Sequence, residues 1–323
     1  AGDDADPRTI SGLNFQPDAI WVKARSGTYG AQDHCLNDAV RGAGEILRPN
    51  RDYAEATDTN NIESFTSDGW TMGDDEKTNK GSTSYVGWSW KGGGAAVSNT
   101  DGTITSSVSA NTTAGFSIAA YTGTGSAATI GHGLSSAPEM VIVKNLDQAD
   151  AFQVGSSKGI DFTDYLVLDT NAAAVDNVDR WNDTTPSASV FTIGDGVEVN
   201  TNTEDYIAYC FHSVEGYSKV GSYEGNGNLD GTFVYTGFRP AFVMTKSRDS
   251  TSGWQMFDNK REGYNVDNYE LLADLSAVED TSTEFIDIVS NGFKNRDTTD
   301  PNVAETYIYI AFAESPFKYS NAR

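Results

Sequence analysis

Thr83-Ser-Tyr-Val-Gly-Trp-Ser-Trp-Lys91 is a run that the chain writes three times. It returns as Glu204-Asp-Tyr-Ile-Ala-Tyr-Cys-Phe-His212 and as Glu305-Thr-Tyr-Ile-Tyr-Ile-Ala-Phe-Ala313. Aromatic, β-branched and small residues fill its nine positions, a composition that suits a pleated and largely buried strand. Upstream of each copy a proline opens a second apolar strand: Pro17-Asp-Ala-Ile-Trp-Val-Lys23, Pro138-Glu-Met-Val-Ile-Val-Lys144 and Pro240-Ala-Phe-Val-Met-Thr-Lys246. Pro17 to Trp70, Pro138 to Phe191 and Pro240 to Phe293 each span 53 residues. Spacing this constant, under drifting residue identity, predicts one fold copied three times, because chain length between core positions fixes strand register.

The 323 residues then divide into three units. We expect an all-β protein of three tandem β-sandwich, jelly-roll-like repeats: repeat 1 over 1–96, a linker over 97–114, repeat 2 over 115–215 and repeat 3 over 216–323. Thirty-two glycines and many Thr, Ser, Asn and Asp agree with short strands and frequent turns. The proline strands are apolar on both faces, as in Ile20-Trp21-Val22, which places them inside a sheet rather than at its edge. Asp68-Gly69 and Asn291-Gly292 read as hairpin turns through their tolerance of positive φ. Trp181 aligns by spacing with Phe65 and reads as a core residue.

Repeats 2 and 3 open on a strand ending in Tyr-x-Gly-x-Gly, at Tyr121 and Tyr223, each 17 residues before its proline. In repeat 1 that tyrosine falls just before Ala1, so the repeat is expected to lack its opening strand here, one that a longer parent polypeptide once supplied. The first junction, with Gly92-Gly-Gly94, is nineteen residues longer than the second. It reads as a flexible hinge with room for one small hairpin, while repeats 2 and 3 are expected to pack as a rigid pair.

A net charge of −24 makes attraction to nucleic acid or to an anionic membrane surface improbable. No apolar run approaches the ~20 residues of a membrane helix. Cys35 and Cys210 form no metal spacing and read as idle buried thiols, a pairing between them being the alternative. His34, His132 and His212 share no repeat position, and no nucleophile elbow, zinc motif or nucleotide loop occurs, so no catalytic or metal-binding residue is assigned. The acidic turns Asp74-Asp-Glu76 and Asp147-Gln-Ala-Asp150 read as solvated, with calcium as the alternative. No other cofactor is expected. Asp38/Arg41 and Asp258/Arg261 read as charge-assisted loop ties rather than as a sugar site, and Lys23, Lys144 and Lys246 as snorkelling strand ends.

The phrases Gly12-Leu-Asn-Phe-Gln-Pro-Asp-Ala-Ile-Trp-Val-Lys23, Ser64-Phe-Thr-Ser-Asp-Gly-Trp70, Gly115-Phe-Ser-Ile-Ala-Ala-Tyr-Thr-Gly-Thr-Gly125, Gly231-Thr-Phe-Val-Tyr-Thr-Gly-Phe-Arg-Pro240 and Tyr307-Ile-Tyr-Ile-Ala-Phe-Ala-Glu-Ser-Pro-Phe317 resemble the C-terminal region of tail-fibre-like virion proteins of marine tailed bacteriophages. The resemblance covers nearly the whole chain. It implies a non-enzymatic virion structural protein, a tail fibre or other appendage, located on the particle. Such a protein would contact other virion proteins, recognise a host surface glycan or protein by its loops, and assemble as a homo-oligomer, a trimer by analogy. It carries over no binding residue. A purely structural component (baseplate, fibre or capsid decoration) and a polysaccharide depolymerase are the alternatives.

Overall fold

Strand dominates the computed structural model, at 44% against 3% helix, so the protein is all-β. The structure describes residues 1–261, 265 and 269–315, so Pro316 and Phe317, which end the last phrase above, lie outside the described residues. The first block of the chain holds β1 (Arg8–Ser11), β2 (Ala19–Gly27), β3 (Cys35–Asp38), β4 (Gly42–Leu47), β5 (Ala56–Thr57), β6 (Ile62–Thr66), β7 (Gly69–Met72) and β8 (Thr83–Trp90). The second holds β9 (Val97–Asn99), β10 (Ser106–Asn111), β11 (Phe116–Thr122), β12 (Ala128–Gly131), β13 (Met140–Asn145), β14 (Gln153–Ser156), β15 (Asp164–Val167), β16 (Val175–Asp176), α1 (Val178–Trp181), β17 (Val190–Ile193), α2 (Val197–Asn200) and β18 (Asp205–Phe211). The third holds β19 (Ser218–Glu224), β20 (Phe233–Tyr235), β21 (Pro240–Ser247), β22 (Gln255–Asp258), β23 (Leu271–Leu272), β24 (Ile286–Val289), β25 (Gly292–Asn295) and β26 (Thr306–Ala313).

Each block pairs a large sheet with a small one. The large sheets run β5-β4-β3-β2-β8, β16-β15-β14-β13-β18-β11-β10-β9 and β23-β22-β21-β26-β19; the small ones are β1-β7-β6, β12-β17 and β20-β25-β24. The proline strand is interior in every large sheet, with the tyrosine strand on one side. Alternation explains why it is apolar on both faces. Ile20 and Val22 face the small sheet of their own block, whereas Ala19 and Trp21 face the other way, into a core shared by all three blocks. Val141 and Val143 against Met140 and Ile142, and Val243 against Phe242 and Met244, divide in the same manner.

That shared core alters two expectations. Each block does close a core of its own between its two sheets, but the blocks were expected to stand apart, with a hinge after the first; instead the inner faces of all three large sheets also bury one another. Matching backbone bonds close the arrangement into a ring. Glu55 N–H donates to Leu146 O at 2.9 Å, Ala174 N–H to Arg248 O at 2.8 Å and Glu279 N–H to Arg25 O at 3.0 Å, linking block 1 to 2, 2 to 3 and 3 to 1. A head-to-tail contact repeated three times closes on itself, and closure leaves no free end to extend.

Residues 97–114, expected as a linker with room for one small hairpin, do hold that hairpin, β9–β10, but it is no free linker: it extends the second block's large sheet beyond β11. Gly92 and Gly93 are packed, not hinged: a Cβ on Gly93 would lie 2.4 Å from Ala110 O and 2.7 Å from Ala110 N. Gly93→Ala is therefore expected to destabilise by about 1–3 kcal/mol, the range for overpacking. In a hinge the same change would be neutral or stabilising. Chemical denaturation distinguishes the two by sign.

Asp68-Gly69 and Asn291-Gly292 do form hairpin turns, between β6 and β7 and between β24 and β25. The glycines serve close approach more than turn dihedrals, since a Cβ at Gly69 would sit 1.9 Å from Ile10 O and one at Gly292 2.0 Å from Val234 O. Trp181 is wholly buried, edge-on to Phe162 with ring centroids 5.5 Å apart. It reaches the core from α1, not from a strand. Asn177 caps that turn by accepting from Asp179 N–H, and Asn182, in the left-handed region, ends it.

Candidate functional site

The ionisable groups that the sequence brings forward are mostly spent inside the fold. Lys23, Lys144 and Lys246 are wholly buried, so they do not snorkel. The turn after each proline strand curls its carbonyls over the ammonium. Lys23 Nζ donates to Ala24 O, to Gly30 O at 2.8 Å and, in the third block, to Ser276 O at 3.2 Å. Lys144 Nζ donates to Asn145 O at 2.5 Å and Gln148 O at 3.0 Å. Lys246 Nζ donates to Ser247 O at 2.6 Å and, at 3.4 Å, to Ser250 O and to Asn171 O of the second block. Burial lowers all three lysines from the usual range to about 8.

Asp38 and Arg41 form a buried tie that reaches across blocks. Arg41 Nε lies 2.6 Å from Asp38 Oδ2, its Nη1 2.7 Å from Glu55 and its Nη2 3.0 Å from Leu36 O. Tyr209 of the second block donates its hydroxyl to Asp38 Oδ2 at 2.7 Å. Asp258 and Arg261 repeat the geometry at 2.7 Å, with Met256 O in place of Leu36 O and with Glu279 at 3.4 Å from Nη1. Neither guanidinium is open to a sugar.

His34 is buried at the join of blocks 1 and 3, where Nδ1 accepts from Trp21 Nε1 at 2.8 Å and Nε2 faces Leu272 O and Leu275 O, both at 3.1 Å. Burial, with Lys23 nearby, lowers it to about 3, so it is neutral and held as the Nε2–H tautomer. His132 is tied to Leu134 N–H and Ser187 O, and His212 Nδ1 to Ser213 O. Cys35 and Cys210 are free and buried, each pushed up to about 12 by burial. In the acidic turns, Asp74 is bonded by Asn60 and Lys80, Asp75 by Asn61 and Lys77, Asp147 by Asp205 N–H and Asp150 by Asn145.

Where the three blocks meet lies an apolar cavity of about 40 Å³ lined by Trp21, Phe116, Met140, Phe242 and Met244 among others, a gap in packing without convergent polar groups. The surface is more informative. On β20, Val234 points into the third block's own core, so alternation turns Phe233 and Tyr235 outward together, 46% and 58% exposed. Lys219 Nζ stands 5.5 Å from the centre of the Tyr235 ring and donates to Tyr235 O at 3.0 Å. Lys294, opposite Phe233 on β25, binds Asp230. The neighbouring loop is held from below by buried Asn302, whose Nδ2 donates to Asn226 Oδ1 at 3.1 Å, Asn228 O at 2.8 Å and Asp297 O at 2.7 Å. Leu229, 67% exposed, projects from that loop. Two aromatic rings on a rigid strand, rimmed by Lys219, Lys294 and Asp230, can stack on an apolar ligand face and hydrogen-bond its edge.

A family model described as Domain of unknown function (DUF7483) matches residues 1–316. The chain belongs to that family. No curated protein and no solved structure matches it. Within this DUF7483 chain the aromatic pair is confined to the third block: the positions of Phe233 and Tyr235 are Thr9 and Ser11 in β1, Thr129 and Gly131 in β12. Sequence reasoning passed over the pair as part of a repeated phrase. The signal was present in Phe-Val-Tyr, where the other blocks read Thr-Ile-Ser and Thr-Ile-Gly.

Proposed function

We propose that the protein is a non-enzymatic structural component of a bacteriophage particle, a tail fibre or other appendage, that touches the host surface through its exposed loops and the Phe233–Tyr235 face. The phage setting is supported by the resemblance of the repeated phrases. The contact role is supported by one observation: two large aromatic side chains stand exposed side by side on a strand whose intervening residue is fixed in a core. A rigid scaffold with a variable surface suits an adhesin, and weak single contacts become useful when several copies act on one particle.

Purified protein is expected to attach to host cells and to compete with phage adsorption. Phe233→Ala/Tyr235→Ala is expected to weaken attachment by at least about tenfold, the loss of two stacking contacts, with an unchanged Tm. Failure of the wild-type protein to attach, or equal attachment by the double variant, would count against this reading.

A further inference from the structure

We propose that the free edge of β8 is a docking site for an extended polypeptide strand that runs antiparallel to it and lays a tyrosine over Tyr85. The equivalent edges of the other two blocks are covered in this way. β11 pairs with β18 from Phe116↔Phe211 to Thr122↔Asp205, and β19 pairs with β26 from Ser218↔Phe312 to Glu224↔Thr306. Among the described residues β8 is paired with β2 alone. Covered edges bury their tyrosines as stacked pairs, Tyr121 on Tyr206 at 5.2 Å and Tyr223 on Tyr307 at 5.1 Å, both with rings 10° apart. Tyr85 is anchored as Tyr206 is. Its hydroxyl accepts from Lys80 N–H and donates to Glu76 O, as that of Tyr206 accepts from Thr201 N–H and donates to Val197 O.

The backbone is poised for the same ladder. Thr83 O accepts from Gly2 N–H at 2.8 Å, as Glu204 O does from Gly123 N–H at 2.8 Å and Glu305 O from Gly225 N–H at 2.9 Å. Alternation along an antiparallel strand then turns the N–H and C=O groups of Tyr85, Gly87 and Ser89 to the open side, where Tyr206, Ala208 and Cys210 meet β11. Gly87 is exposed, while Ala208 and Tyr309 at its position are buried. Along the bare edge run two grooves, about 420 Å³ with Leu13, Phe15, Trp88 and Trp90 in its wall and about 280 Å³ with Trp70 and Tyr85. Trp88 Nε1, Trp70 Nε1 and Ser89 Oγ are buried beside them without a partner.

The occupant is thereby specified. Facing Trp88 it carries an aliphatic residue, as Ile118 and Val220 face Tyr209 and Ile310; facing Gly87 a small one, as Ala119 and Gly221; facing Tyr85 a tyrosine. A second copy of β8 fits poorly, because antiparallel pairing centred on Gly87 sets Ser89 against Tyr85. Strand addition to an open edge draws affinity from main-chain bonds and specificity from alternate side-chain pockets.

The probe is a synthetic peptide with the sequence of Gly115–Tyr121, which stops short of the positions that Ala1 and Gly2 fill beside Thr83, added to the full chain while amide exchange is followed by NMR. Exchange at Tyr85, Gly87 and Ser89 is expected to slow at least tenfold at saturation. A peptide N-methylated at the Ser117, Ala119 and Tyr121 positions, whose amides would face β8, is expected to give no protection; one N-methylated at the Ile118 and Ala120 positions is expected to retain it. No slowing, or equal slowing by both methylated peptides, would overturn the proposal. So would protection already present without peptide in a species that sediments as a dimer, which would assign the edge to a second copy.

Discussion

Replacing Arg41 with methionine is expected to lower the free energy of unfolding by about 3–5 kcal/mol, the loss that follows when one member of a buried ion pair is removed. Arg41 and Asp38 have side chains 3% and 0% exposed, so water does not reach the carboxylate that the substitution would strand. Asp38 keeps the amides of Val40 and Arg41 on Oδ1 and the Tyr209 hydroxyl on Oδ2, but loses the cation paired with it. Glu55 loses the same partner, and it sits on the segment whose amide ties block 1 to Leu146 of block 2. The damage is therefore centred where two blocks join, not in a loop. Arg41→Lys is expected to recover little, because a single ammonium cannot span Asp38, Glu55 and Leu36 O together. Asp38→Asn/Arg41→Met is expected to be more stable than Arg41→Met alone, since the double change removes the stranded charge. Chemical denaturation measures all three variants, and a loss under about 1 kcal/mol for Arg41→Met would show that water or a rearranged neighbour replaces the guanidinium.

The same residues show what could be read from the chain and what could not. That the Asp-x-x-Arg pairs are ties was legible, since their three-residue spacing lets the arginine fold back on the aspartate. The partner that Asp38 and Arg41 take from another block was not, because Tyr209 lies 168 residues from Arg41 and no local pattern points to it. The two-sided apolar character of Ala19-Ile-Trp-Val22 was legible as an interior strand. Whether Trp21 would be covered by its own block or by a neighbour was not, since both give the same alternation. The shared core was missed for that reason. The lysines were misread because a strand end normally leads to water. Here the following turns fold back and line the ammonium with carbonyls, a matter of backbone path rather than of residue type. α1 in place of a strand turned on Asn177 acting as a cap, a choice that the apolar pattern around Trp181 leaves open.

Between pH 8 and 10.5 each buried lysine is expected to add stability as the pH rises, and Lys144 is the one to test. Desolvation lowers it from the usual 10.5 to about 8, so over that window the unfolded chain holds a proton that the folded chain has released. Stability rises with pH wherever the unfolded state binds more protons. The slope is about 1.4 kcal/mol per pH unit, or about 3 kcal/mol in all, and it vanishes below 8, where both states are charged, and above 10.5, where neither is. Lys144 can lose its proton cleanly because two carbonyls accept from it and a neutral amine still has two N–H donors. Lys23, with three acceptors, must leave one unmet. The raw pH profile mixes in an opposing contribution. Cys35 and Cys210, raised from 9.0 to about 12, cost stability as the pH climbs through that range, because the unfolded thiols ionise first. Subtracting the profile of a Lys144→Met variant from that of the wild type cancels the cysteines and leaves the lysine alone. The difference is expected to be flat below pH 8 and to grow in favour of the wild type up to 10.5; a difference that stays flat across the window would mean that Lys144 reaches solvent and keeps its ordinary proton affinity.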